Sequence, residues 1–173
     1  MDLVSYPIRA DWDTTFMKIC DIIKDRSVCV KYRTSAVVIK NTQIIGTGYN
    51  GTLTKMEECC ERWENYWHMN NIKIPYAEWI KTVEFRNLHS QWSALNEIHA
   101  EVNALNCVSK NDIDDTCAIY VYYSPCDQCA KQILSYGIKN LYYYKVYPGK
   151  SGNSLNGIKF LIERGIKCTQ ISV

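Results

Sequence analysis

Apolar residues recur along this chain at two different spacings, and the change from one spacing to the other predicts its elements. Residues 11–25 carry apolar side chains three and four positions apart, which is the period of a half-buried helix. The runs 35–40 and 43–48 are rich in Val, Ile and Gly, and Asn41-Thr42 separates them like a hairpin turn. The first quarter therefore predicts one helix followed by a β-hairpin.

The second half of the chain predicts a regular alternation of helices and strands. Asn96–Leu105 indicates a helix, because Ile98, Val102 and Leu105 share one face. The later elements are a strand near 117–123, a helix near 127–137, a strand near 140–147, a helix from Gly152 to Arg164 and a strand from Ile166 to Val173. Helical connections favour parallel strands, so the order β–β–α–β–α–β–α–β predicts an α/β layered fold.

Residues 52–92 interrupt this order, because their hydrophobic periodicity is patchy and they are rich in Glu, Lys, Asn and Trp. Short helices are expected there, with the aromatic side chains forming a small local core rather than a ligand-stacking surface. The chain is therefore predicted to be a single domain over 1–173, with an inserted segment at about 52–92.

Composition excludes several functional classes. No run reaches the roughly 20 apolar residues that a membrane-spanning helix needs, and the first seven residues do not resemble a signal peptide. Nine cysteines without such a signal indicate reduced thiols and metal binding in a cytoplasmic protein. A net charge of +2 without a basic run argues against a polynucleotide partner and is compatible with a small nucleotide.

The strongest chemical signal combines His99-Ala100-Glu101 with Cys126 and Cys129, which follow Pro125. One imidazole and two thiolates give zinc three protein ligands and leave a fourth position for water, as in catalytic rather than structural zinc sites. Zinc lowers the pKa of that water to about 7, and the unattached carboxylate of Glu101 can then move protons. This spacing is the signature of zinc-dependent nucleobase deaminases.

Each half of this motif has a more ordinary interpretation when it is taken alone. A Cys-x-x-Cys pair can be a redox couple or half of a structural zinc site, and His-x-Glu occurs by chance on amphipathic helices. The two halves in this order, with a strand-like segment 119–123 leading into the second, favour the catalytic interpretation. The motif does not select a substrate, because pocket shape does so.

Most of the chain, from about residue 14 onward, resembles the deoxycytidylate (dCMP) deaminases, in particular those of phages and viruses. The similarity is strongest in Thr47–Gly51, Leu88–Leu105 and Ser124–Lys131. The resemblance implies the cytidine-deaminase fold, a five-stranded mixed sheet between helices. It also implies hydrolysis of dCMP to dUMP and ammonia, which supplies thymidylate precursors.

The same resemblance assigns roles to individual residues. Zinc would be held by His99, Cys126 and Cys129, with Glu101 as the proton carrier. The nucleotide contacts that we expect are Gly48, Tyr49, Asn50 and Gly51 in the turn after the second strand, together with Ser124 and Tyr147. Tight-turn geometry alone also explains Asn50-Gly51, and Tyr147 can equally serve packing. Further candidates for binding the substrate phosphate are Arg26, Ser27, Lys31 and Arg33.

Two other features are implied by the resemblance. Cys29, Cys59, His89 and Glu97 look like the ligands of a second, structural zinc, with Cys60 competing with Cys59 for that role. The resemblance implies that dCTP with Mg²⁺ activates the enzyme, that dTTP inhibits it, and that six chains assemble into a hexamer. Lys110 stands where a regulatory arginine is expected, and lysine cannot bind phosphate bidentately.

Two rival functions remain open at this level. One is a deaminase that acts on tRNA, single-stranded DNA, free cytidine, or a pterin or riboflavin precursor. The other is a non-catalytic nucleotide-binding module that retains the deaminase shape. The presence of Glu101 and of all three metal ligands argues against the second.

Overall fold

The computed structural model describes residues 8–148 and 155–172. Its seven described strands are β1 (Ser35–Lys40), β2 (Gln43–Tyr49), β3 (Gly51–Thr52), β4 (Glu97–Ile98), β5 (Cys117–Tyr123), β6 (Asn140–Lys145) and β7 (Lys167–Gln170). Its α-helices within those ranges are α1 (Trp12–Ile23), α2 (Cys59–Met69), α3 (Tyr76–Trp79), α4 (Val83–Asn96), α5 (Ala100–Leu105), α6 (Asp127–Tyr136) and α7 (Asn156–Ile162). None of these helices has the length and apolar character that crossing a membrane requires.

Five strands form one mixed sheet in the order β2-β1-β5-β6-β7. β1 pairs antiparallel with both β2 and β5, whereas β6 runs parallel to β5 and to β7. The α6 and α7 connections impose this parallel half, because a parallel pair needs a crossover. The predicted five-stranded mixed sheet between helices is confirmed.

Helices cover the two faces of the sheet. On one face, α1 packs Phe16 and Met17 against Val37 and Tyr120. Its first turn is capped by Asp11, whose side chain accepts a 2.8 Å hydrogen bond from the Thr14 backbone N–H. The opposite face carries the larger core, which α5, α6 and α7 build with the inward-facing residues of β1, β5 and β6. The reactive groups described below lie at the beginnings of α5 and α6 on this face.

Residues 52–92 contribute most of a second, smaller hydrophobic core. Trp63, Trp79 and Phe85 are at most 2 % exposed and pack with one another, and Cys29 and Cys59 belong to the same cluster. The aromatic residues of 52–92 therefore bury each other, as the sequence indicates. This small core holds α2, α3 and the first half of α4 beside the sheet.

The predicted helix over Asn96–Leu105 is wrong in its first part. α4 ends at Asn96, residues 97–98 form the short strand β4, and α5 starts only at Ala100. The reason is that Glu97 and Ile98 pair with Thr52 and Gly51 of β3, so their backbone groups are used in a ladder. His99 is consequently the N-cap of α5 in extended conformation and not a helical residue.

Other boundaries differ by a few residues. β6 ends at Lys145, two residues before the predicted end, because the backbone beyond it turns toward Ser124. The helix predicted near 127–137 is α6, with Cys126 as its N-cap and Gly137 as its C-cap. The predictions for residues 1–7, for the start of the helix at 152–154 and for Val173 lie outside the described residues.

Candidate active site

Two helix starts bring His99, Cys126 and Cys129 together. His99 is the N-cap of α5, Cys126 is the N-cap of α6, and Cys129 lies one turn into α6. The His99 Nδ1 atom is 3.3 Å from the Cys129 Sγ atom and 3.5 Å from the Cys126 Sγ atom. Cys129 is buried, whereas the His99 side chain is exposed on the cavity side. The cluster is thus open on one side.

These distances fit a tetrahedral metal ion. Zinc bonds of about 2.0 Å to nitrogen and about 2.3 Å to sulfur would separate ligand atoms by about 3.5 Å. The three ligand atoms lie within 4.8 Å of one another. Thiolates with one imidazole are the donor set that zinc prefers over hard cations such as Mg²⁺. His99, Cys126 and Cys129 therefore form a set that can hold zinc and leave a fourth position accessible.

The pKa values of the three side chains indicate that the cluster favours a bound cation. Hydrogen bonding from Cys129 and from His99 lowers the pKa of Cys126 to about 4. The Cys126 thiolate in turn raises the pKa of His99 to about 9 and, with burial, raises the pKa of Cys129. Ionising both thiols and keeping the imidazole neutral requires a compensating positive charge, which a divalent metal provides.

Glu101 lies beside this cluster in the first turn of α5. Its side chain is only 6 % exposed, and burial raises the pKa of its carboxyl group, an effect that His99 partly opposes. A raised pKa brings a carboxyl group closer to the range in which it can both accept and donate protons, which is the property that a general acid and base needs.

A second cluster consists of Cys29, Cys59, His89 and Glu97. The His89 Nε2 atom is 3.4 Å from both the Cys29 and the Cys59 Sγ atoms. All four ligand atoms lie within 4.8 Å of one another, and the Oε1 atom of Glu97 is buried without a hydrogen-bond partner among the described residues. A buried carboxylate oxygen that lacks a partner is costly unless a cation satisfies it. This closed set of two thiols, one imidazole and one carboxylate fits a structural zinc.

The electrostatics of the second cluster repeat those of the first. Hydrogen bonding from Cys59 lowers the pKa of Cys29 to about 4, and the same contact together with burial raises the pKa of Cys59. Burial and the Cys29 charge raise the pKa of Glu97 to about 7. Cys60 takes no part, because its Sγ atom lies 4.0 Å from a Glu58 carboxylate oxygen.

One cavity of about 280 Å³ joins the two clusters. Its walls include Glu101, His99 and Cys126 at the first cluster, and Cys29, His89 and Glu97 at the second. The volume is close to the lower end of the range for small-molecule sites, roughly 300–1,000 Å³. A ligand of nucleotide size that reaches Glu101 would therefore also approach the second cluster.

The predicted nucleotide contacts divide into two groups. Asn50, Ser124 and Tyr147 line the cavity. Gly48, Tyr49, Gly51 and Lys110 are absent from its walls within the described residues. Gly48 packs beneath α5, and the Lys110 ammonium group is 4.9 Å from the ring centroid of Tyr136. Their roles as substrate or effector contacts stay predictions.

The Asn50 side chain already has backbone partners. Its Oδ1 atom accepts a 2.9 Å hydrogen bond from the Thr34 N–H, and its Nδ2 group donates one of 3.0 Å to the Tyr32 carbonyl oxygen. Asn50 thereby fixes the segment 32–34 at the cavity wall. Tyr32 extends this wall through ring contacts with Tyr147 at 5.3 Å and Tyr123 at 6.0 Å between centroids.

Sequence reasoning missed part of the cavity wall on α4. Arg86, Ser90 and Ser93 line the cavity, yet none of them belongs to a recognisable motif. Their spacing of four and three residues was the available signal, since it places them on the helix face that carries His89. Lys31, one of the four candidates for phosphate binding, also lines the cavity. The other three, Arg26, Ser27 and Arg33, do not.

Comparisons with known proteins agree with this geometry. The family model for the cytidine and deoxycytidylate deaminase zinc-binding region matches residues 10–145. The deoxycytidylate deaminase of Enterobacteria phage T4 is 34% identical over 150 residues, 78% of each chain. That of Mycobacterium phage D29 is 30% identical over 145 residues, which are 83% of this chain and 98% of the relative.

A solved structure resembles the whole fold. The crystal structure of dCMP deaminase from the cyanophage S-TIM5 in complex with dCMP and dUMP superposes with a TM-score of 0.65 at 24% sequence identity. The match covers 95% of this chain and 100% of that one. At this level of identity the likeness establishes the fold alone.

Proposed function

The chain belongs to the cytidine and deoxycytidylate deaminase family, and on that premise we propose that it hydrolyses dCMP to dUMP and ammonia. The observation that carries this proposal is the buried Glu101 carboxyl group beside His99, Cys126 and Cys129 at one end of a cavity of nucleotide size. The names of the phage relatives support dCMP as the substrate.

We propose that His99, Cys126 and Cys129 hold the catalytic zinc. When bound, zinc supplies the Lewis acidity that makes water nucleophilic near neutral pH. Cys129 is buried and fixed in α6, while His99 is held at the N-cap of α5, so the two helices set the geometry of the site.

In this proposal Glu101 carries the protons. It accepts the proton that the attacking water loses and passes it to ring nitrogen N3. It then takes the proton of the hydroxyl group newly bonded to C4 and passes it to the amino group, so that the C4–N bond breaks, ammonia leaves and C4 becomes a carbonyl. The raised pKa of Glu101 suits both directions of transfer. Its burial also keeps bulk water from competing for these protons.

We propose that Cys29, Cys59, His89 and Glu97 hold a second zinc with a structural role. The support is the closed donor set and the partnerless Oε1 atom of Glu97. Such a site would fasten α2 and α4 to the segment before β1. It would also fix β4, from which the chain passes directly into His99.

Regulation and assembly are further proposals that rest on the resemblance to dCMP deaminases. We propose activation by dCTP with Mg²⁺, inhibition by dTTP and a homo-hexamer in the cytoplasm. Rate measurements with and without each effector, combined with sedimentation, test the first three. A rate that does not change with either nucleotide would contradict the proposed regulation, and a monomer in sedimentation would contradict the proposed hexamer.

The substrate proposal is tested by a panel followed by ultraviolet absorbance. The purified protein is assayed with cytidine, deoxycytidine, CMP, dCMP and dCTP at equal concentrations. We expect kcat/KM to be highest for dCMP. If deoxycytidine is deaminated as efficiently as dCMP, the nucleotide assignment fails and a nucleoside deaminase is favoured. Absence of turnover with the whole panel would favour a non-catalytic module or another substrate class.

A further inference from the structure

Residues 49–52 contact the chain on both sides of the reactive groups of α5. Before those groups, β3 pairs with β4, which leads directly into His99. After them, the Nδ2 group of Asn103 donates a 2.9 Å hydrogen bond to the Tyr49 carbonyl oxygen at the end of β2. The N-cap and first turn of α5, with His99 and Glu101, thus lie between two attachments to one short segment.

Asn103 acts through both its backbone and its side chain. Its backbone N–H donates a 3.1 Å hydrogen bond to the His99 carbonyl oxygen, which closes the turn that contains Glu101. Residues two apart on a helix diverge by about 200°, so the Asn103 side chain leaves α5 on nearly the opposite side from Glu101. Among the described residues, the cavity walls include Glu101 but not Asn103. Asn103 therefore holds the turn of Glu101 from behind.

The surface of β2 beneath α5 does not fix the rotation of this helix. A Cβ atom at Gly46 would be 2.5 Å from the Ala104 carbonyl oxygen, and one at Gly48 would be 2.3 Å from the Ala100 carbonyl oxygen. Two glycines let the backbones touch, but they offer no side chain that would resist sliding or rotation of α5. A hydrogen bond is directional, so the Asn103 contact supplies the restraint that the glycines lack.

The cavity wall around Asn50 is held by separate hydrogen bonds. The Asn50 side chain accepts from the Thr34 N–H and donates to the Tyr32 carbonyl oxygen, and the Asn50 N–H donates a 3.3 Å hydrogen bond to the Thr34 carbonyl oxygen. None of these three bonds involves α5. Loss of the Asn103 contact should therefore displace Glu101 and leave this wall in place.

On the premise of the proposed function, we propose that Asn103 is a positioning residue for Glu101. Its hydrogen bond to the Tyr49 carbonyl oxygen sets the rotation of the first turn of α5, and with it the reach of the Glu101 carboxyl group toward the reacting ring. Proton transfer needs donor and acceptor at hydrogen-bond distance, and a misplacement of about 1 Å can cost about 10²-fold in rate. A side chain that does not line the cavity thereby controls kcat.

Two substitutions remove this hydrogen bond in different ways. Asn103→Asp keeps the size of the side chain but places a carboxylate against the Tyr49 carbonyl oxygen, and Asn103→Ala removes the donor without adding charge. We expect kcat for dCMP to fall about 10- to 100-fold in both, with KM for dCMP and the affinity for dUMP within about 2-fold of the wild type. Zinc content should not change. Asn103→Gln keeps an amide donor and should recover part of the lost kcat.

The matched control is Asn106→Asp, which adds the same charge to the end of the same helix. Asn106 is exposed at the C-cap of α5, and its side chain makes no hydrogen bond to the residues that the structure describes. Its kcat and KM should equal those of the wild type. Calorimetric titration with dUMP counts the competent sites in each preparation, so a partly unfolded sample does not imitate a loss of kcat.

The outcomes separate this inference from the proposed function. Wild-type protein that does not deaminate dCMP contradicts the proposed function and the inference with it. If the wild type is active, a wild-type kcat per competent site in Asn103→Asp and Asn103→Ala overturns only the positioning role. Loss of dUMP affinity or of zinc in step with kcat would also overturn it, because the damage would then be general. An equal loss in Asn106→Asp would assign the effect to charge.

Discussion

Glu97 and His99 are only two residues apart, yet their side chains belong to different candidate metal clusters. Glu97 faces Cys29, Cys59 and His89, whereas His99 faces the two cysteines at the start of α6. The intervening Ile98 pairs with Gly51 in the β3–β4 ladder, so the backbone that joins the two ligands is held by hydrogen bonds to a distant segment. This arrangement couples the geometry of the two sites through a short stretch of chain.

Glu101→Gln should abolish turnover without loss of metal. The amide keeps the shape of the side chain but cannot accept and return a proton, so kcat should fall by about 10²- to 10⁴-fold. Zinc content and dUMP affinity should stay at the wild-type level. Glu84→Gln, in the exposed first turn of α4, is the control. Turnover of the Glu101→Gln variant at the wild-type rate would remove Glu101 from the mechanism.

Adjacent cysteines provide a matched pair for the second metal site. Cys59→Ala should reduce zinc from about two ions per chain to about one, because a buried ligand is lost from a closed four-ligand set. Cys60→Ala should leave both ions in place, since Cys60 faces Glu58. Metal analysis by mass spectrometry checks both. One zinc per chain in the wild type, unchanged in Cys59→Ala, ends the second-site proposal.

The first cluster was predictable from sequence because its residues are close together in the chain. Cys126 and Cys129 lie on one short stretch, and His99 and Glu101 on another, so each half carries a fixed local geometry. The order of helices and strands was predictable for a similar reason, since the strand and helix periods are local, whereas the five-stranded mixed sheet was implied by the resemblance. Both predictions depend little on how distant segments pack.

The break before His99 was not predictable from local pattern. Residues 96–105 have helical periodicity, but the ladder between β3 and β4 takes the backbone of Glu97 and Ile98 out of the helix. The position of Arg86 in the cavity wall was not predictable for the same reason. Arg86 is an exposed residue of α4, and it lines the cavity only because α4 packs beside the segment that carries Lys31. Both features depend on tertiary contacts between distant parts of the chain.

Tyr120 should set an alkaline limit to stability. Burial raises its pKa, and its phenol O–H donates a 2.5 Å hydrogen bond to Asp13 of α1. A raised folded-state pKa means that this contribution is complete below the unfolded pKa of about 10 and is lost as the pH rises above it. The melting temperature of Tyr120→Phe should therefore fall less steeply than that of the wild type above about pH 10. Parallel curves would show that Tyr120 does not ionise in the transition.

Gly48 should be intolerant of any side chain because α5 lies directly on β2. A Cβ atom at Gly48 would be 2.3 Å from the Ala100 carbonyl oxygen and 2.4 Å from the Ala104 nitrogen, both rigid backbone atoms. Gly48→Ala must therefore push α5 away, at a cost of about 1–3 kcal/mol in the free energy of unfolding.

The shift of α5 in Gly48→Ala should also move the reactive groups, because α5 carries Glu101 and has His99 as its N-cap. Gly51→Ala is the matched control, because a Cβ atom there meets nothing closer than 3.9 Å. Urea unfolding and kcat for dCMP, measured on both variants, should show that Gly48→Ala loses stability and rate together, while Gly51→Ala keeps the wild-type stability. A Gly48→Ala protein with wild-type kcat would mean that the position of α5 does not control the reactive groups.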